Sequence, residues 1–119
     1  MDHVEEINGV SALVLAPEGP RYGAELGAGD LVGDALSHGV ELVVMPAGRL
    51  ADDFFALRTG VAGEILQKLV NYRLRLAVIG DVSARVEASA ALRDLIRECN
   101  RGRDAWFLAD RAALDARLA

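Results

Sequence analysis

The sequence alternates between short, continuously apolar runs and longer stretches whose apolar residues recur at helical spacing. Four runs have the length of a strand: SALVLA (residues 11–16), ELVVMP (41–46), LRLAVIGD (74–81) and DAWFLAD (104–110). Continuous apolar character over this length is typical of strands buried on both faces of a sheet. Because helical segments separate the runs, the pattern predicts a mostly parallel sheet with right-handed strand–helix–strand crossovers.

The N-terminal residues predict one antiparallel addition to this sheet. HVEEI is followed by an Asn8-Gly9 pair, the residue pair favoured in two-residue hairpin turns, and then by the first apolar run. The chain has 119 residues, of which 52% are hydrophobic, enough for one domain with a substantial core. We therefore predict a single α/β domain over residues 1–119, with a mixed, mostly parallel sheet and packed helices.

Helical segments lie between the predicted strands. The longest is GVAGEILQKLVNYR, whose apolar spacing predicts a helix from Val61 to Tyr72. Another helix is predicted between Asp30, as its N-cap, and Gly39, as its stop. ADDFFAL (51–57) predicts a helical turn, and ASAALRDLIRECN (88–100) and DRAALDARLA (110–119) predict further helices, the last capped by Asp110. The predicted order of elements is ββ-α-β-α-β-α-β-α.

Charge and cysteine usage narrow the class of protein. The formal net charge of −5 disfavours non-specific binding to nucleic acid, which needs a basic surface to release counterions, although local basic patches remain open. The single cysteine, Cys99, excludes an internal disulfide and suits a reducing compartment. The N-terminus has no signal-peptide pattern, and the apolar runs are shorter than the roughly 20 residues of a membrane helix. We expect a cytoplasmic protein without a membrane partner.

The helix predicted from Val61 has a polar stripe with an unusual composition. Glu64, Gln67, Lys68 and Asn71 fall on one side of it, and the chain contains no other lysine or glutamine. This stripe is either a solvated helix face or a site whose side chains matter individually.

Other polar groups have functional and structural interpretations side by side. Arg58 and Thr59 precede the same helix, where free amides attract anions; alternatively Thr59 caps the helix while Gly60 and Gly63 allow close packing. Cys99 falls on the apolar stripe of its helix, which is typical of an inert core thiol.

Motifs for metals and nucleotides are absent from the sequence. His3 and His38 lie in no metal-ligand spacing, so we expect no metal site. The glycine-rich loop over residues 17–30 matches neither phosphate-binding motif, so we expect no cofactor and identify the loop as the best candidate for a mobile segment.

Two aromatic pairs and two strand ends carry further expectations. Of Trp106 and Phe107 in the last predicted strand, one is expected to pack under a helix and the other to be partly exposed. Asp81 and Asp110 each lie at the end of a predicted strand where ligands gather in open α/β sheets, and helix capping or turn formation explains each equally well. Phe54 and Phe55 either pack in the core or, if exposed, offer an interface for a homodimer.

Two long motifs resemble a known family. FFALRTGVAGEILQKLVNYRLRLAVIGD and SAALRDLIRECNRG are similar to the bacterial proteins catalogued as domain of unknown function 4180, with a resemblance that runs from Leu50 to the C-terminus. The family is uncharacterised, so the resemblance implies no activity. The motif positions that would form a site are Arg58, Thr59, Gly60, Gly63, Glu64, Gln67, Lys68, Asn71, Tyr72, Arg73, Glu98, Asn100 and Gly102.

More distantly, the order of elements resembles the STAS-like fold of anti-sigma-factor antagonists and their SpoIIAA-like relatives. In those proteins the helix after the third strand begins beside a regulatory serine or threonine and presents a surface to a partner protein. Thr59 is the matching hydroxyl here. The Asp-Ser-Ser-Gly phosphorylation motif is absent, and the turn ADDFFAL is an insertion.

Three classes of function follow. The first is a non-enzymatic regulatory or protein-interaction module that uses Arg58, Glu64, Lys68 and Asn71, with Arg73, Glu98 and Asn100 joining them if the two helices share a sheet face. The second is a small-molecule binding protein or enzyme in which Arg58, Glu64 and Lys68 bind an anionic or carbonyl ligand. An accessory role in a biosynthetic pathway is a third class.

Overall fold

A five-stranded sheet in sequential order forms the centre of the protein. The computed structural model describes residues 2–119. Strand β1 is antiparallel to β2, and β2, β3, β4 and β5 are parallel neighbours in that order, which confirms the predicted mixed α/β class. The strands are β1 (His3–Ile7), β2 (Val10–Val14), β3 (Leu42–Pro46), β4 (Arg75–Ile79) and β5 (Ala105–Leu108). The helices are α1 (Ala28–Ser37), α2 (Asp52–Phe55), α3 (Val61–Asn71), α4 (Ser83–Ala88), α5 (Ala90–Arg101) and α6 (Arg111–Leu118).

The opening hairpin turns at the predicted residue pair. Asn8 and Gly9 have φ angles of 48° and 83°, the two positive values that a type I′ turn requires. Ile7 therefore pairs with Val10, and Glu5 with Ala12.

The helices divide unequally between the two faces of the sheet. Each parallel strand is added beside the previous one, so right-handed crossovers bring α1, α3 and α5 to the same face. There Leu31, Ile65 and Leu92 pack on the strands in the larger core cluster. Helix α6 covers the opposite face, where Leu114 packs with Trp106.

This two-sided cover corrects the expectations for the aromatic residues. Trp106 and Phe107 are 5% and 7% exposed, because α6 covers one and the helices of the larger cluster cover the other, so the prediction that one is partly exposed is wrong. Phe54 and Phe55 are 0% and 7% exposed and pack edge to face at 5.3 Å between ring centroids. These rings belong to the core and do not form an exposed interface.

Two helix starts differ from the sequence prediction. The N-cap of α1 is Gly27, and Asp30 lies three residues inside the helix, where its carboxylate accepts the Gly27 N–H at 2.9 Å. Helix α4 was not predicted; Ser89 separates it from α5 and caps α5 by accepting the Leu92 N–H at 3.1 Å. Gly39 follows α1 with φ 67°, as expected of a helix stop.

A buried arginine holds the glycine-rich loop against the sheet. Arg49 is 3% exposed, and its guanidinium donates to the carbonyl oxygens of Pro20 at 2.7 Å and Ala16 at 3.0 Å. It also pairs with the Asp2 carboxylate at 3.3 Å. The loop predicted to be mobile is therefore anchored at several points along its first half. Among residues 2–119, no helix is both long and apolar enough to cross a membrane.

Candidate functional site

The start of α3 is built by local hydrogen bonds and one left-handed glycine. The Thr59 hydroxyl accepts the Val61 N–H at 3.2 Å and donates to the carbonyl oxygen of Asp53 at 2.7 Å. Gly60 has φ 78°, a conformation that disfavours residues with a Cβ. A Cβ on Gly60 or Gly63 would meet no atom within 4 Å, so the close-packing role predicted for these glycines is wrong.

The predicted polar stripe lies along the outer side of α3. Glu64, Gln67 and Asn71 are exposed, and the Gln67 amide donates to the Asn71 side-chain oxygen at 2.9 Å. Lys68 is half-buried and leans toward α1, with its Nζ 3.9 Å from the point that a Cβ on Gly29 would occupy.

The cationic and acidic members of the stripe do not converge. In the described chain, no hydrogen bond or ion pair joins Arg58, Glu64 and Lys68 to one another. Arg73 is exposed and lies two residues after the end of α3, with a left-handed φ of 57°. The outer side of α3 is thus a row of largely solvated groups.

Asn100 serves the sheet. Its side-chain oxygen accepts the Phe107 N–H at 2.7 Å, and its side-chain amide donates to the Phe107 carbonyl at 3.2 Å. Strand β5 is at the end of the strand order, and the carbonyls of Asp104 and Leu108 accept from β4. Because strand residues alternate, the backbone of Phe107 points outward, and the Asn100 carboxamide occupies the place of a further strand there.

A cleft between α3 and α5 joins residues from both helices. Its cavity of about 220 Å³ is walled by Leu66, Leu69, Val70 and Cys99, and Glu98 and Asp104 are its acidic lining residues. Val70 is 41% exposed beside it, and Tyr72, two residues further along, is 49% exposed. This surface, which we call the α3–α5 cleft, is an apolar cavity with two carboxylates.

Of the predicted site residues, Glu98 and Gly102 line the cleft. The stripe of Glu64, Gln67, Lys68 and Asn71 is centred on a different side of α3. At 3.6 residues per turn, Leu66 and Val70 are rotated away from that centre, although Val70 adjoins Gln67 at the edge of the stripe. The sequence analysis missed the cleft because Leu66 and Val70 match ordinary core positions of an amphipathic helix. The signal available was Val70, which lies at the edge of the apolar stripe.

The thiol of the cleft is held in its protonated form. Burial, and secondarily the charge of Glu98, raises the pKa of the Cys99 thiol, so the protonated form is favoured at neutral pH. Within residues 2–119, no group of three or more His, Cys, Asp or Glu residues is arranged to hold a metal ion. An apolar cavity with carboxylates nearby favours an apolar group attached to a cation.

Comparison with known proteins gives a family and no characterised relative. No curated protein and no solved structure matches the chain. A family described as "Domain of unknown function (DUF4180)" matches residues 7–118, which is nearly the whole sequence. The chain therefore belongs to the DUF4180 family, as its two long motifs predicted.

Proposed function

We propose that this protein is a non-enzymatic interaction module that binds a segment of a partner protein in the α3–α5 cleft. The observation that carries the proposal is a cavity of about 220 Å³ whose wall includes Val70, an apolar side chain that is 41% exposed. Binding energy in protein interfaces concentrates where an apolar or aromatic anchor fills a pocket surrounded by polar groups.

The acidic residues of the cleft define the partner's chemistry. Glu98 and Asp104 both line the cavity. The Arg101 guanidinium lies 3.7 Å from the Glu98 carboxylate, in an ion pair whose side chains are 71% and 79% exposed. Such exposed pairs contribute little and exchange readily. A complementary segment carries an apolar or aromatic anchor next to lysine or arginine.

This proposal keeps the regulatory, STAS-like class of function that the sequence resemblance implies. In that class the helix after the third strand presents a surface to a partner protein, and α3 follows β3 here after the short inserted helix α2. The contact surface differs: the proposed anchor site is the flank of α3 that faces α5, whereas the sequence analysis favoured its outer polar stripe.

Selection from a random peptide library tests the proposal, because a library presents many candidate segments at once. We expect wild-type protein to enrich peptides with an apolar or aromatic anchor beside lysine or arginine. Val70→Asp should lower the affinity for those peptides by at least about tenfold, because it places a charge in the apolar wall of the cavity. Leu36→Asp, a change to a side chain 49% exposed on α1, is the matched control and should leave binding unchanged.

Either of two results would overturn the proposal. One is enrichment of acidic peptides, or of peptides without an apolar anchor. The other is an enriched consensus that binds Val70→Asp as tightly as wild type while both proteins show the same circular dichroism spectrum.

A further inference from the structure

Helix α5 separates its charges onto two flanks. Arg93, Arg97 and Arg101 recur every four residues and therefore lie in one row along the helix. Glu98 lies on the flank toward the α3–α5 cleft. The arginine row instead lines a groove of about 430 Å³ on the other flank, together with Val86 of α4, Ile96 and Asn100. We call this surface the arginine groove.

The guanidinium groups of the groove are only weakly neutralised. The Arg97 side chain forms no hydrogen bond or ion pair with any other residue between 2 and 119. Arg93 approaches Asp94 at 3.6 Å and Arg101 approaches Glu98 at 3.7 Å, with the arginine side chains 52% and 71% exposed. Ion pairs this exposed contribute about 0–1 kcal/mol, so an external carboxylate can replace them.

A fourth arginine adds positive charge at one end of the groove. Arg117 of α6 donates to the carbonyl oxygen of Asn100, and its guanidinium lies 4.9 Å from the ring centroid of Trp106. The groove is therefore basic on a chain whose formal net charge is −5. A local field opposite in sign to the whole molecule selects for an acidic partner surface and orients it.

We propose that the arginine groove binds an acidic, helical segment of a partner protein, separately from the α3–α5 cleft. The first and last arginines of the row are eight positions apart, which corresponds to about 12 Å along a helix axis. A second helix that carries carboxylates at four-residue intervals presents them at the same spacing. Apolar residues on the same segment would pack on Val86 and Ile96 between the arginines.

Three other kinds of occupant fit the groove less well. Single-stranded nucleic acid binds through aromatic rings on which bases stack, but Trp106 and Phe107 near this end of the protein are buried. A small-molecule site encloses most of its ligand, whereas Arg93 and Arg101 are more than half exposed. An added β-strand would meet the backbone of Phe107, whose hydrogen-bonding groups Asn100 already occupies.

The test uses a labelled helical peptide with glutamates at four-residue intervals and leucines beside them, and an otherwise identical peptide with glutamines. Fluorescence anisotropy with the full chain measures both affinities over a range of salt concentrations. We expect the glutamate peptide to bind with an affinity that falls as the salt concentration rises. The glutamine peptide should bind at least about tenfold more weakly.

A pair of charge reversals locates the binding surface. Arg97→Glu should lower the affinity for the glutamate peptide by at least about tenfold, because it replaces the central cation of the row with an anion. Arg58→Glu changes the net charge by the same amount at an exposed position before α3 and should leave the affinity within about twofold.

Three results would overturn the proposal. Equal binding of the two peptides, or binding of neither, would remove the acidic-segment preference. If Arg97→Glu and Arg58→Glu lower the affinity for the glutamate peptide equally, the effect comes from the net charge of the protein and not from the groove. Tighter binding of a single-stranded oligonucleotide than of the glutamate peptide, lost in Arg97→Glu, would assign the groove to nucleic acid.

Discussion

Asn100→Ala removes the side chain that closes the outer edge of β5. Two hydrogen bonds to the Phe107 backbone are lost, at 2.7 and 3.2 Å. Each is worth about 0.5–1.5 kcal/mol, and the gain in helix propensity on going from asparagine to alanine offsets about 0.5–0.7 kcal/mol of their loss. We therefore expect the free energy of unfolding to fall by about 0.5–2.5 kcal/mol, which for a chain of 119 residues corresponds to a decrease in melting temperature of about 2–10 °C.

Asn71→Ala is the matched control for this prediction. Asn71 is also a helical asparagine, but its side chain bonds only to that of exposed Gln67. Both substitutions gain the same helix propensity, about 0.5–0.7 kcal/mol, so their difference isolates the contacts at the sheet edge. We expect Asn71→Ala to change the free energy of unfolding by less than about 0.5 kcal/mol.

Urea unfolding followed by tryptophan fluorescence measures both variants. Trp106 is the only tryptophan and precedes Phe107 in β5, so it reports on the strand itself. If Asn100→Ala and Asn71→Ala unfold with the same midpoint and slope, Asn100 does not stabilise the edge and the reasoning fails. Asn100→Asp keeps an acceptor for the Phe107 N–H but loses the donor to the Phe107 carbonyl, so this variant should be less stable than wild type.

Three further predictions concern the loop, the hairpin and the thiol. Gly19→Ala should lower the melting temperature, because its φ is 145° and a Cβ would lie 2.8 Å from a buried guanidinium; Gly33→Ala, at an exposed helical site with open space, should raise it. The Arg111 guanidinium lowers the pKa of Glu5, so Glu5 contributes stability above its ordinary pKa of 4.5. Urea titrations should therefore show that Arg111→Gln lowers the free energy of unfolding at neutral pH. The difference in free energy from wild type should shrink as the pH falls through and below 4.5, and a difference that stays constant with pH contradicts this. Cys99 should alkylate with iodoacetamide more slowly than free cysteine at neutral pH, because burial raises its pKa; an equal rate contradicts this.

Local patterns were sufficient to predict most of the fold. Continuous apolar runs predicted the parallel strands, and Asn8-Gly9 predicted the hairpin, because both depend on neighbouring residues. Helix α4 escaped prediction because its six residues are too few to show a helical period. The close-packing role predicted for Gly60 and Gly63 was wrong because the sequence alone does not show why a glycine is needed. A glycine can be needed because neighbouring atoms leave no room for a Cβ or because its backbone has a positive φ.

Polar residues were harder to assign than apolar ones. Asn100 was expected to join a polar site, but its carboxamide satisfies a strand edge that exists only once the sheet has formed. Arg93, Arg97 and Arg101 were readable as a four-residue repeat, yet the rarity of Lys68 drew attention to α3. Residue rarity reflects composition, whereas the charge separation on α5 depends on which side of the helix meets α3.

The sequential strand order also determines how the chain reaches its fold. Paired residues of neighbouring parallel strands lie about thirty positions apart at each of the three junctions, such as Ala12 with Leu42 and Leu76 with Ala105. The entropic cost of closing a loop depends on its length, so each junction costs about the same. The sheet can therefore extend one unit at a time from the N-terminal hairpin as the chain leaves the ribosome, and no strand waits for a distant segment before it pairs.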